Sequence, residues 1–173
     1  QGKAAIDVEF NGSLDSFSAF NGSAFIWNGE QPELLMDYLA SDNPKIVWNS
    51  KLLDRRLRMN GNALFGVVGD PLLSAYLLDP AARDYSIADL ANQHFDHQVA
   101  EQTLIDTKNP TEQAWLVWLL DEFLNKKLEK TSQLRVLTDI ELPASRSLAS
   151  MEATGITLNQ AQLDSFREEL TNE

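Results

Sequence analysis

Lys3-Ala4-Ala5-Ile6-Asp7-Val8-Glu9 opens the chain as a short apolar run closed by Asn11-Gly12. Asn-Gly is a strong turn dipeptide, because both residues accept the positive φ that a tight hairpin requires. The stretch therefore reads as a strand over 3–9 followed by a reversal. The pattern repeats at once: a second strand over 15–20 ends at Asn21-Gly22, and a third, Ala24-Phe25-Ile26-Trp27, ends at Asn28-Gly29. Three short strands punctuated in this way predict an antiparallel meander. Asn11-Gly12-Ser13 and Asn21-Gly22-Ser23 also fit the glycosylation sequon, but tight turns in a non-secreted protein are the preferred reading.

Beyond the meander, helical and extended patterns alternate. Pro32 to Leu39 reads as a helix with Leu34, Leu35, Tyr38 and Leu39 on one stripe. Lys45-Ile46-Val47-Trp48 is a strand, Lys51 to Met59 a helix, and Phe65 to Val68 another strand. Asp70-Pro71 opens a helix to Leu78, since Asp caps well and Pro suits the first helical position. Asp79-Pro80 stops it. Ser86 caps a further helix, with Asp89 three residues on. A long helix over 111–129 carries Trp115, Trp118, Leu119, Glu122 and Phe123 at helical spacing. The next runs from Ser132 to Thr154, bends at Pro143 and ends at Gly155; a last helix starts at Asn159. A meander followed by alternating β and α segments predicts an α/β domain, a mixed sheet with helices packed on it.

Composition bounds what such a domain does. Apolar residues make up 43% and charged residues 23% of 173, an ordinary globular balance. There is no cysteine, which excludes disulfides and thiolate metal sites. The longest apolar stretch, Ala114 to Leu120, is far short of the roughly 20 residues a bilayer span needs, and no signal peptide is expected before the apolar run at Ala4. The Gln1-Gly2 start reads as an excised piece or an expression scar. Fourteen basic against 26 acidic residues leave a net charge of −12, which repels a phosphate backbone and argues against tight DNA binding by this chain alone. A metal-bridged nuclease site is not excluded, because bound cations offset carboxylates.

Three stretches carry a family resemblance. The first is Gly69-Asp70-Pro71-Leu72-Leu73-Ser74-Ala75-Tyr76-Leu77-Leu78-Asp79-Pro80, followed by Tyr85-Ser86-Ile87-Ala88-Asp89-Leu90-Ala91. The second, and most specific, is Glu141-Leu142-Pro143 eight residues before Met151-Glu152-Ala153-Thr154-Gly155-Ile156. The third is Asn49-Ser50-Lys51, twelve residues before Ala63-Leu64-Phe65-Gly66. Together they resemble the bacterial family A DNA polymerases, the DNA polymerase I family, over about residues 45–170. The resemblance implies a ribonuclease-H-like (DnaQ-like) 3′–5′ exonuclease domain over residues 1–136. Residues 137–173 would then begin the polymerase domain. It further implies a parent DNA-directed DNA polymerase, a bacterial, cytoplasmic nucleotidyltransferase of DNA replication and repair that uses Mg²⁺. The partners implied are the rest of the polymerase in the same chain and, through it, DNA. No membrane partner and no cofactor are expected for this segment, which reads as a monomer.

Proofreading members hold two divalent metals with an Asp-x-Glu on the first strand, an Asp on a central helix and a Tyr-x-x-x-Asp on a later helix. Asp7-Val8-Glu9 matches the first motif, and a spacing of two puts both carboxylates on one face. Without a cation between them, like-charge repulsion would raise one carboxyl's pKa. The second motif position falls on Leu53; Asp54 is adjacent, but about 100° around the helix. The third falls on Trp115 and Leu119, with Asp121 two residues late. Trp has no hydroxyl to hold a water, and Leu cannot ligate a metal; both read as apolar helix core filling a former cleft. The expectation is a catalytically silent, structural domain with Asp7 and Glu9 as a vestigial, weak metal pair. The alternatives are an active exonuclease using Asp7, Glu9, Asp54 and Asp121, and a stand-alone interaction module. His94-x-x-His97 lacks a third ligand at a recognisable spacing, Lys126, Lys127 and Lys130 complement a helix dipole, and Trp115 and Trp118 read as core rather than base-stacking platforms.

Overall fold

The meander and the alternation both form. In the computed structural model, which describes residues 2–10, 14–27, 29, 32–82, 85–95 and 110–171, β1 (Ala4–Phe10) pairs antiparallel with β2 (Leu14–Phe20), and β2 with β3 (Ala24–Ile26). Then come α1 (Pro32–Leu39), β4 (Lys45–Val47), α2 (Ser50–Met59) and β5 (Val67–Gly69). After these follow α3 (Pro71–Leu78), α4 (Ile87–His94) and α5 (Pro110–Lys130). β4 lies parallel to β1 and β5 parallel to β4, giving one mixed sheet in the order β3-β2-β1-β4-β5. Parallel neighbours need crossovers, and α1 and α2 supply them. Among the described residues no helix is long and apolar enough to cross a membrane.

Strand alternation distributes two cores. Ile6 and Val47 face one side, where they pack with Phe17, Leu39, Leu53, Leu57 and Leu64 under α1 and α2. Ala5 and Ile46 face the other, against Val117 of α5. Leu120 and Leu124 of α5 turn from the sheet to Ala75 of α3 and Leu90 of α4. α5 is thus covered on two sides, and its buried residues are Ala114, Leu116, Val117, Leu120, Asp121, Leu124 and Leu128. This corrects the sequence-based stripe: Trp115, Trp118, Leu119, Glu122 and Phe123 are only partly buried. With apolar residues almost all round, the sequence alone does not tell which arc meets the sheet. Leu34 of α1 is likewise exposed, while Leu39 is buried and Leu35 and Tyr38 pack on the core.

The C-terminal helices differ from expectation at one point. A short turn α6 (Leu134–Val136) leads into a π-helical turn over Leu137–Glu141, where Leu142 N–H donates to Leu137 O, and then into α7 (Leu142–Thr154). The irregularity therefore precedes Pro143 rather than sitting at it. Proline lacks an N–H and crowds the carbonyl four residues back, and widening the preceding turn relieves both. Gly155 ends α7 at φ 69°, and α8 (Gln160–Thr171) follows, with Asn159 Oδ1 accepting from Gln162 N–H.

Two buried polar side chains hold the turns around β4. Asp70 caps α3 by accepting from Leu72 N–H at 3.1 Å, and also accepts from Asn49 N–H (3.1 Å) and Ser50 N–H (2.7 Å) at the start of α2. Burial pushes its carboxyl above the usual aspartate value, with the backbone donors opposing. Lys45 is 0% exposed, yet its ammonium donates to Ser41 O and Asn43 O at 2.8 Å and Phe65 O at 3.1 Å, and lies 4.6 Å from the Tyr38 ring centre. Burial lowers it to about 8, against the attraction of Asp42.

Asp70→Ala should cost about 3 kcal/mol or more in urea unfolding, since three N–H donors around it lose their acceptor; a loss within experimental error would remove Asp70 from this role. Lys45 gives a pH-dependence. An unfolded lysine titrates near 10.5, so between about 8 and 10.5 the unfolded chain holds a proton that the folded chain has released. Stability from this site therefore rises with pH across that window. The wild-type minus Lys45→Met difference in unfolding free energy should increase over that range; a flat or falling difference refutes the lowered ammonium.

Candidate functional site

Asp7 lies on β1 opposite Ser18 of β2. Strand alternation gives it the face of Ala5, the side covered by α5. Glu9 shares that face of the strand, but its side chain lies outside the described residues. α5 crosses β1 with Asp121 at Lys3 and Val117 at Ala5. Two strand residues advance roughly 6.6 Å and four helical residues about 6 Å. The same register therefore carries Asp7 to the turn around Gln113. Leu119 is about 9 Å further along the helix axis.

The other motif positions disperse. Leu53 is 7% exposed and packs with Ile6, Phe17, Val47 and Leu57, on the sheet face away from Ala5. Asp54 is 3% exposed and faces neither: its Oδ1 accepts from Leu64 N–H at 2.9 Å and its Oδ2 lies 3.0 Å from Arg58 Nε. Trp115 and Leu119 are partly buried and belong to none of the three apolar clusters. Asp121 is 1% exposed, and Lys3 Nζ donates to its Oδ2 at 2.9 Å while lying 3.1 Å from Glu122 Oε1. Burial raises the Asp121 carboxyl, with Lys3 and Asn125 opposing. Burial alone would lower Lys3, but its hydrogen bonds and charge attraction to Asp121 and Glu122 raise it above the ordinary lysine value. A Cβ at Gly69 would overlap Asp121 Oδ1, so a larger residue there would push the Asp121 carboxylate away from its place beside Lys3.

Asn49 starts α2 in the left-handed region at φ 55°, where its side chain accepts from Leu52 N–H. Ser50 then meets Ser145 of α7 at 3.3 Å, Oγ to Oγ. Glu152 of α7 bridges Lys51 (2.8 Å) and Arg55 (3.6 Å) of α2. The Lys51 hydrogen bond, with both cationic charges, holds its carboxyl below the usual range. α2, the Leu64–Val68 segment and α7 enclose a groove of about 790 Å³.

The remaining candidates are structural in their contacts. His94 stacks on Phe123 with ring centres 5.0 Å apart and has Nδ1 3.5 Å from Lys127 Nζ; burial and then the Lys127 charge lower its pKa. Asp96 and His97 lie outside the described residues. Lys127 sits 4.5 Å over the Phe123 ring, while Lys126 and Lys130 are exposed near the C-terminus of α5. Trp118 packs edge-on to Phe20 at 5.8 Å, with the Lys3 ammonium 5.4 Å from its ring centre. Among the described residues no group of three or more His, Asp or Glu is arranged to hold a metal ion. Sequence reasoning missed the Lys3–Asp121 pair and the Lys45 cradle, whose partners are 118 and up to 20 residues away. Lys3 at a strand start and Asp121 inside an apolar helical run were the only signals available.

Comparison with known proteins gives the chain its relatives. DNA polymerase I of Geobacillus stearothermophilus is 34% identical over 143 residues, which is 75% of this chain and 16% of that protein. DNA polymerase I of Bacillus subtilis is 28% identical over 155 residues, 81% of this chain and 18% of that protein. The chain thus spans about a sixth of the length of the curated relatives it matches. Among solved structures, the POL domain of Pol1 from M. smegmatis, in complex with DNA primer-template and dNTP, superposes with a TM-score of 0.79 at 25% identity. That superposition covers 98% of this chain and 31% of the other. No protein-family model matches the chain. The chain is homologous to a segment of bacterial DNA polymerase I, a family A DNA polymerase.

Proposed function

We propose that the chain is a catalytically silent 3′–5′ exonuclease-like domain, of ribonuclease-H-like fold, with the first helices of a polymerase domain attached. The sheet order β3-β2-β1-β4-β5, with only β2 opposed to its neighbours among the four strands β2, β1, β4 and β5, supports that fold. The observation that carries the silent reading is at α2. Leu53 stands at the motif position and is packed among Ile6, Phe17 and Val47, while the adjacent Asp54 already serves Leu64 N–H and Arg58. Asp121 is engaged in the same way by Lys3. Among the described side chains this donor set does not fit a two-metal pair: a leucine offers no oxygen, and the two nearby carboxylates are bound elsewhere. No hydrolytic step follows from it.

The surviving role is a platform. Ser50–Ser145 and the Glu152 ion pairs join α2 to α7 across the expected boundary at residues 136 and 137, which supports a firmly seated junction. Both ion pairs are well exposed and add little stability themselves; the buried serines and the helix packing carry the join. In the parent protein, proposed to be a cytoplasmic DNA-directed DNA polymerase of replication and repair, such a platform helps to hold the polymerase domain on duplex DNA. Mg²⁺ belongs to that polymerase activity.

Incubated with 3′-labelled single-stranded DNA and Mg²⁺ or Mn²⁺, the chain should release no label. Metal-dependent release that disappears in Asp7→Ala would overturn the silent reading in favour of an active exonuclease. Leu53→Asp should lose at least about 3 kcal/mol in urea unfolding, because it removes a buried leucine and buries a carboxylate. A near-neutral Leu53→Asp would mean that the position opens to a cleft.

A further inference from the structure

The groove between α2 and α7 is separate from the Asp7 face: neither Asp7 nor any residue of β1 lines it. Its floor is apolar, made by Phe65, Val68 and Leu142, and Val68 is well exposed. Two guanidinium groups border it. Arg58 is paired with Asp54 through Nε at 3.0 Å. Arg146 rests on the Phe65 ring, 4.2 Å from its centre, and among the described residues no carboxylate lies within ion-pair distance of it. Ser150 adds a hydroxyl on the α7 wall.

This local composition runs against the whole. On a chain of net charge −12, an anion is repelled nearly everywhere. In the groove the arginines outnumber the single carboxylate, Asp54, whose own oxygens face Leu64 N–H and Arg58. Arg146 is exposed, with its guanidinium carbon 4.2 Å from the Phe65 ring centre, and a guanidinium fork matches carboxylate and phosphate oxygens. A volume of about 790 Å³ is of the size that takes a small organic molecule. An apolar floor that includes the Phe65 ring and a cationic rim together select one kind of occupant.

We propose that this groove binds a small organic anion, an oxyanion head carried on an apolar or aromatic body, with Arg146 and Arg58 holding the head and Phe65, Val68 and Leu142 the body. Phenyl phosphate is the direct probe. Titrated into the intact chain and followed by backbone amide NMR, it should give saturable shifts confined to residues 64–68 and the first turns of α7. Arg146→Gln, which removes an exposed charge and no core packing, should weaken binding about tenfold, the loss of one charge-assisted contact. Inorganic phosphate and benzyl alcohol carry the head and the body separately, and each should bind at least about tenfold more weakly. Absence of saturation with phenyl phosphate would overturn the proposal. So would unchanged affinity in a folded Arg146→Gln, or inorganic phosphate binding as well as phenyl phosphate. Nuclease activity does not enter this readout, so its outcome is independent of the silent-domain reading.

Discussion

One buried carboxylate sets the geometry on which the candidate site rests. Asp70 accepts from Leu72 N–H at the head of α3 and from Asn49 and Ser50 N–H at the head of α2. Two helix starts that follow adjacent parallel strands are thereby tied to one side chain. A buried helix end without such an acceptor is costly, because its first N–H groups have no partner within the helix. Asn49 takes up the strained left-handed conformation at the same place. The rotation of α2 about its axis follows from that anchor: Leu53 and Leu57 turn to the sheet, and Asp54 and Arg58 turn to the groove.

That rotation decides what chemistry is left. With Leu53 directed into an apolar cluster, the face of α2 that meets the sheet offers only hydrocarbon. The neighbouring carboxylate is aimed elsewhere by one residue's turn of helix and is consumed there by a backbone N–H and an arginine. On the opposite face of the sheet, Asp121 is likewise consumed by Lys3, at the far end of β1 from Asp7. The two carboxylates are thus parcelled out to separate contacts, Asp54 to Leu64 N–H and Arg58 and Asp121 to Lys3. Arg146, on the groove side of α7, has no carboxylate within ion-pair distance among the described residues.

How much of this was legible in the chain depends on the range of the interaction. The meander, the alternating helices, the Asp70 and Ser86 caps and the Gly155 stop were read correctly, since each depends on neighbours a few residues away. The buried stripe of α5 was not, because Trp115, Leu119 and Val117 are equally apolar and only the covering of the helix on two sides selects Val117. A bend was expected at Pro143, whereas the irregularity is a π-helical turn just before it: proline announces that a helix is disturbed, and packing decides which turn widens.

The sequence by itself determined the order of strands and helices, the absence of thiol chemistry, the acidic character and the apolar side chains at Leu53, Trp115 and Leu119. All of these are properties of residue identity and local spacing. Only the tertiary structure decided that Lys3 neutralises Asp121, that Lys45 lies in a cradle of three carbonyls, and that α7 closes a cationic groove on α2. Those contacts join distant segments, and the pairing of a charge depends on which other side chain the fold carries to within a few ångströms of it.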